Sequence, residues 1–362
     1  MSKARELAAL GNAYSDGALS NRNLIINGSM QVAQRGTSVS AAATQFLLDR
    51  FQWQTSAGPT VTLEQSTDAP SGFNNSLKVT VTTTDTMDAA DYDAIYHPIE
   101  GLNASHLNFG TSNAQQFTLS FWAKASVIGT YAVNFINSDN SRTWTSSYSI
   151  TSANTWEYKT ITVDGDTSGT WLKTNGIGIK VWFSLGSGSN YNPASPSTAW
   201  TSGLNLGLDG TVDLRTTNGA TWQITGVQLE VGDTATPFEH RSYGQELALC
   251  QRYFNRYSTQ NGFTLLVPSI NGGTTNARCG VALSTKLRAT PTVTPSASNA
   301  IVIRNHGSFS NYGSTSIALG SEQQIEPNLI ALSVSVASGL VAASINIPYI
   351  NTGHYLDFDA EL

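Results

Sequence analysis

The residues best suited to chemistry in this 362-residue chain are its tryptophans and the polar groups beside them. All eight tryptophans lie between Trp53 and Trp222. A sugar presents C–H faces that stack on rings and hydroxyls that pair with amides and charges, so a glycan site needs rings with such groups alongside. Tryptophans in β-sandwiches more often plug cores, and strand parity helps to separate the two uses. Over 118–125, Leu119, Phe121 and Ala123 fall on one face and Ser120, Trp122 and Lys124 on the other. Over 177–185, Ile177, Ile179, Val181, Phe183 and Leu185 share a face and leave Lys180, Trp182 and Ser184 opposite. If these strands share a sheet, the two Trp-Lys pairs make one concave aromatic and cationic platform. If not, that side packs under a loop or a neighbouring subunit. Two loops add further rings. The long segment GSGSNYNPASPSTAWTSG carries Tyr191 and Trp200, and NSDNSRTWTSSY carries Arg142 and Trp144 in a polar setting. The binding set expected for a carbohydrate is therefore Trp200, Tyr191, Trp182, Lys180, Trp122, Lys124, Trp144 and Arg142.

Catalytic patterns find little support. Glycoside hydrolysis needs two carboxyls flanking one bond. The cluster TDTMDAADYD, with Asp85, Asp88, Asp91 and Asp93, reads instead as a solvated loop, and Glu100 as a strand-end anchor. That cluster lacks the ligand order, central Gly and final Glu of an EF-hand. The five histidines show no HxxxH or HExxH spacing, and neither GxSxG nor a phosphate-cradling glycine loop is present. The expectation is a non-enzyme with no catalytic residues and no cofactor.

Short period-two runs separated by Gly, Asn and Ser turns must position these groups. Runs over 51–54, 60–64, 77–83, 118–125, 131–136, 144–150, 156–163, 177–185 and 222–231 predict an antiparallel sandwich, with an opening strand in NLIINGSMQV and a bulge at Gly226. From Ser242 the spacing turns helical, with Leu247, Cys250 and Phe254 on one seam. A second set of alternating runs over 263–360 predicts another sandwich. Charged residues make up only 12% of the chain, about half the usual share. The net charge of −6 argues against a nucleic-acid partner, since phosphate binding needs clustered Lys and Arg that this chain lacks. No apolar run reaches membrane-spanning length, so no membrane insertion is expected. Two cysteines in so long a chain do not build a disulfide framework. Residues 2–10 allow barely two helical turns, too few to stand alone in water, and read as a peg that needs a partner surface.

The stretch VQLEVGDTATPFEHRSYGQELALCQRY resembles a segment recurring in phage tail-fibre and related virion appendage proteins. In them it joins a carbohydrate-binding-module-like jelly roll to a C-terminal β-sandwich. NLIINGSMQVAQRG, FTLSFWAKAS, CGVALSTKLRATPTVT and YLDFDAEL extend the likeness over most of the chain. The resemblance implies a mainly β protein with an N-terminal docking segment over 1–22, a jelly roll over 23–235, a linker helix over 236–257 and a β-sandwich over 258–362. It also implies a homotrimeric tail-fibre or receptor-binding protein, assembled in the host cytoplasm and located in the virion. Such a protein would touch other virion proteins through its N-terminal segment and bind host surface polysaccharide. Jelly rolls of that family often hold a structural calcium, for which no ligands are assigned. A virion decoration or connector protein and a polysaccharide depolymerase are the alternatives.

Overall fold

The computed structural model describes Lys3 and residues 21–362, apart from 57, 260–263, 307, 327 and 343. The peg expected over 2–10 otherwise lies outside the described residues. The chain divides into two compact units, Met1–Tyr243 with Leu362, and Gly244–Glu361. Both are mainly β, as the alternation predicts.

The first unit is a sandwich of two antiparallel sheets. One has six strands in the order Ser38–Ala41, Thr60–Ser66, Ser76–Thr83, Thr221–Val231, Phe117–Ala125 and Glu157–Val163. The other has seven, in the order Thr201–Ser202, Arg142–Ile150, Gly129–Ile136, Ile177–Ser187, Tyr92–Glu100, Gln52–Thr55 and Gln45–Phe46. Inward residues of both sheets, such as Leu119, Phe121, Val133, Phe135, Val181 and Phe183, form one continuous core with Trp53 and Trp222. Each fully buried aromatic or aliphatic side chain contributes roughly 1.5–3 kcal/mol, and burying that set selects the register of each strand.

Three local readings change in this unit. The run from Asn23 to Val32 is almost wholly buried but is not a strand. It follows the closing strand through Leu24 N to Leu229 O at 2.9 Å and Val227 N to Gly28 O at 2.9 Å. Asn27, at φ 63°, breaks its extension by tying its amide to the carbonyls of Val32 and Asp49. Tyr92–Glu100 is a central strand that the sequence conceals, since it is buried on both faces and carries Pro98. The acidic cluster is not a solvated loop throughout. Arg215 draws it together, with Nε 2.6 Å from Asp93 Oδ2 and Nη1 2.8 Å from Asp91 Oδ2, and Arg215 and Asp93 are both about 1% exposed. The bulge at Gly226 is present as a register shift between Thr225 and Gln228, with Gly226 at φ +62°.

Residues 236–242 are not helical. Thr236 N donates to Glu230 at 2.9 Å, and the Glu239 carboxylate accepts from Asn21 N at 2.5 Å and Asn23 N at 2.9 Å. The helix covers only Tyr243–Gln251. Phe254 is buried because it begins the strand Phe254–Ser258, which pairs with Tyr355–Asp359. From that strand Arg256 grips Asp357 through two contacts of 2.7 Å.

In the second unit a three-stranded sheet accompanies a seven-stranded one. The larger sheet curls until Ile301–Asn305 also pairs with Ile345–Ile350. Its core holds Val281, Ile303, Leu332, Val334 and Phe358. Cys250 and Cys279 are both buried, and burial pushes the Cys279 thiol up to about 12.

Candidate glycan-binding groove

Strand register decides which outward side chains become neighbours on the seven-stranded sheet. Gln52 faces Tyr96, Tyr96 faces Trp182, Trp182 faces Asn134 and Asn134 faces Thr145. Residues directly opposite in register share a face, so five strands lay these side chains in one row. A second row holds Gln54, Ala94 and Ser184, and a third holds Pro98, Lys180 and Ile136. The reverse face of the same strands carries Ile95, Val133, Val181 and Phe183 into the core.

A groove of about 340 Å³ runs along this outer face, lined by Gln52, Gln54, Tyr92, Tyr96, Asn140, Lys180, Trp182 and Tyr191 among others. Tyr191, from the short 3-10 turn Ser189–Tyr191, stands over the sheet. Its ring centroid lies 5.9 Å from Tyr92, which lies 5.6 Å from Trp182, and Tyr96 sits 6.0 Å from Trp182 on the other side. The loop is held by Asn190 N to Ala89 O at 2.9 Å and Asn192 Nδ2 to Ser187 O at 2.8 Å. Leu204 and Leu206 complete its apolar underside. Burial, reinforced by Tyr191 nearby, raises the Tyr92 phenol above its ordinary range, so the hydroxyl is a neutral donor and acceptor at neutral pH.

Lys180 is the only charged side chain among the described residues lining the groove. Its Nζ donates to Ser138 O at 3.0 Å and Asn140 Oδ1 at 2.5 Å. Burial holds its pKa below the usual lysine range, and Asp139 partly offsets this. Three buried polar atoms of the same face, Trp182 Nε1, Ser184 Oγ and Asn134 Oδ1, have no hydrogen-bond partner in the structure. Together the groove offers ring faces, primary amides and a cation on a rigid sheet, which is what sugar recognition requires.

The residues expected from the sequence separate into three places. Tyr191, Trp182 and Lys180 meet in the groove. Trp122 and Lys124 belong to the other sheet, so the two Trp-Lys pairs do not form one platform. Trp122 packs on Tyr158 with centroids 5.3 Å apart, and Lys124 pairs with Asp68, which also takes the Trp156 indole N–H at 3.2 Å. Trp144, Trp200 and Arg142 cluster at an end of the core. Trp144 is 7% exposed in the strand Arg142–Ile150 and lies in the core, not in a polar loop. Trp200 packs edge-on against Trp171 at 5.1 Å and Phe109 at 5.7 Å, and donates Nε1 to Asp164 O at 2.6 Å. Arg142 makes a two-pronged pair with Asp166, both contacts 2.7 Å. These three groups have their chemistry filled by the protein itself.

Sequence reasoning missed Tyr92, Tyr96, Gln52 and Gln54. Tyr92, Ala94 and Tyr96 do alternate, but the acidic run before them drew attention to Asp91 and Asp93. For calcium, the described residues contain no group of three or more His, Cys, Asp or Glu side chains placed to hold an ion. The densest acidic cluster is instead filled by the Arg215 guanidinium, so these residues do not fit the metal that the resemblance implies. Among the described residues no helix is long and apolar enough to cross a membrane.

No protein-family model matches the chain, and no curated protein does. Solved structures show partial likeness. The enzymatically active domain of tailspike protein 4 of bacteriophage CBA120 is 13% identical, with 58% of this chain covered and a TM-score of 0.32. The match spans only 22% of that tailspike chain. The family 11 carbohydrate-binding module of a Clostridium thermocellum cellulosomal cellulase is 16% identical, with 55% of this chain and 100% of the module covered and a TM-score of 0.28. A third, TmCBM61 in complex with β-1,4-galactotriose, is 9% identical over 59% of this chain and 100% of its own, at 0.28. At these scores the likenesses carry no argument, and the sandwich rests on its own strand pairings.

Proposed function

We propose that the first unit binds a host surface polysaccharide in the groove on its seven-stranded sheet, as the non-cleaving receptor-binding part of a phage virion appendage. The observation that carries the binding reading is the in-register row Gln52, Tyr96 and Trp182, roofed by Tyr191. The phage assignment is supported by the segment from Val227 to Tyr253 and its companion motifs. The non-cleaving role is supported by a lining that holds no Asp or Glu side chain among the described residues, where hydrolysis needs two. Trimeric assembly suits the role, because several weak sites linked on one particle gain avidity.

A connector reading is favoured by the outer face of the six-stranded sheet. There Trp122, Tyr158, Phe73 and Phe238 border a second recess of about 380 Å³, and Tyr158 is 45% exposed. Titrating the purified chain with host envelope polysaccharide separates the two readings. Tyr191→Ala and the double variant Gln52→Ala, Gln54→Ala should weaken binding by roughly tenfold each, the worth of one stacked ring or a pair of hydrogen bonds. Tyr158→Ala should bind as wild type. Absence of binding by a folded wild type, or equal binding by the groove variants, would sink the proposal.

A further inference from the structure

The charge in the groove narrows the ligand, provided the glycan reading just given holds. Lys180 sits in a row between Pro98 and Ile136, two side chains that cannot accept a hydrogen bond. An ammonium has three donors. Two go to the neutral acceptors Ser138 O and Asn140 Oδ1. No carboxylate among the described residues forms an ion pair with it. The sequence neighbour Asp139 attracts the ammonium without pairing with it, its Oδ1 accepting from Ser141 N at 3.1 Å and Ser141 Oγ at 2.7 Å. A cation withdrawn from water and in contact with no carboxylate is costly, and the cost falls when an anion is bound against it.

A second group points the same way. Trp182 is two residues along the same strand, and its indole N–H, which can only donate, is buried without an acceptor. Two groups restricted to donating therefore stand side by side in a lining that contributes no Asp or Glu side chain among the described residues. The net charge of the whole chain, −6, would repel polyanions at long range, so any preference for them must be local.

We infer that the groove takes an acidic glycan, seating the carboxylate of a uronic or sialic acid type sugar at Lys180 while the ring lies against Tyr191 and its neighbours. A neutral sugar could fill the third donor of Lys180 with a hydroxyl but would leave the ammonium without a carboxylate in contact. Hydrogen bonds to a charged partner are the stronger kind. The lowering of the Lys180 pKa by burial is the penalty that such a carboxylate reverses.

The test is an array of acidic polysaccharides printed beside their carboxyl-reduced counterparts, probed with the full chain and followed by titration of the binders. Acidic forms should bind about tenfold or more tighter than the reduced forms, and the difference should shrink as salt rises. In Lys180→Gln the ratio of acidic to reduced affinity should fall to about one, and in Lys180→Arg it should persist. Thermal unfolding of both variants establishes that they are folded. Binders drawn only from the reduced or neutral columns, or a Lys180→Gln protein that keeps the preference for acid, overturn the inference and leave the glycan reading standing. Silence of every column with folded protein removes the glycan reading, and the inference with it.

Discussion

His97 makes the first unit sensitive to acid, and the size of the effect can be worked from its surroundings. The ring is fully buried, stacked edge-on against Phe51 with centroids 4.8 Å apart, and its Nε2 lies 3.1 Å from Ile26 O. Burial, with the Arg50 guanidinium adding repulsion, lowers its pKa to about 3. An unfolded chain would protonate the same ring near about 6.5. The folded value is the lower one, so this stabilisation is complete above the unfolded pKa and drains away as pH falls toward the folded pKa. At about pH 5 the unfolded state is favoured by a factor of roughly 30, which costs about 2 kcal/mol relative to about pH 8. That is a substantial part of the 5–15 kcal/mol or so that stabilises a domain. Because all eight tryptophans lie in the first unit, urea titration followed by tryptophan fluorescence reports this unit alone. His97→Gln keeps a donor for Ile26 O and removes the titration. The variant carries some constant loss, so the readout is how its stability difference from wild type changes between the two pH values. A change of about 2 kcal/mol in favour of the variant at low pH is expected. A change below about 0.5 kcal/mol would refute the assignment of a neutral, acid-labile His97.

The Arg215 cluster should be less forgiving. Arg215→Met leaves the buried Asp93 carboxylate without its 2.6 Å partner, and urea unfolding should show a loss of about 3–5 kcal/mol. A loss under about 1 kcal/mol would show that the pair contributes little. Burial raises the neighbouring Asp213 carboxyl to about 6. Its contribution is therefore present below the unfolded aspartate range and is lost as pH rises through about 6. Asp213→Asn, which can still accept from Arg215 N at 3.2 Å, should gain on wild type as pH rises through that window, and a flat difference would reject the shift. A Cβ on Gly28 would lie 2.1 Å from Val227 O, a backbone atom that cannot step aside. Gly28→Ala should cost about 1–3 kcal/mol by the same fluorescence assay, and a wild-type midpoint would mean that the two segments are free to separate.

Much of the fold was legible because alternation is a local property. The inward faces of 118–125 and 177–185 follow from period two, and the buried Leu119, Phe121, Val181 and Phe183 occupy them as read. The bulge at Gly226 and a helix after Ser242 were likewise visible. The errors came where a local signal was overruled. Asn27 stops an apolar run from becoming a strand, Pro98 and burial on both faces hide a central one, and helical spacing at Phe254 gives way to pairing with the C-terminal strand.

For the site, the sequence determined that Trp182 and Lys180 point away from the core, since parity assigns each residue to one of two faces. It could not say what lies beside them. Tyr96 and Gln52 are distant along the chain, and Trp122, which looked equivalent to Trp182, lies on the opposite sheet. The same holds for Arg215 and Asp93, 122 residues apart and in contact. Periodicity fixes the face, but only the order in which strands pair fixes the neighbours. In this sandwich that order sets Tyr92–Glu100 beside Ile177–Ser187 and thereby creates the groove.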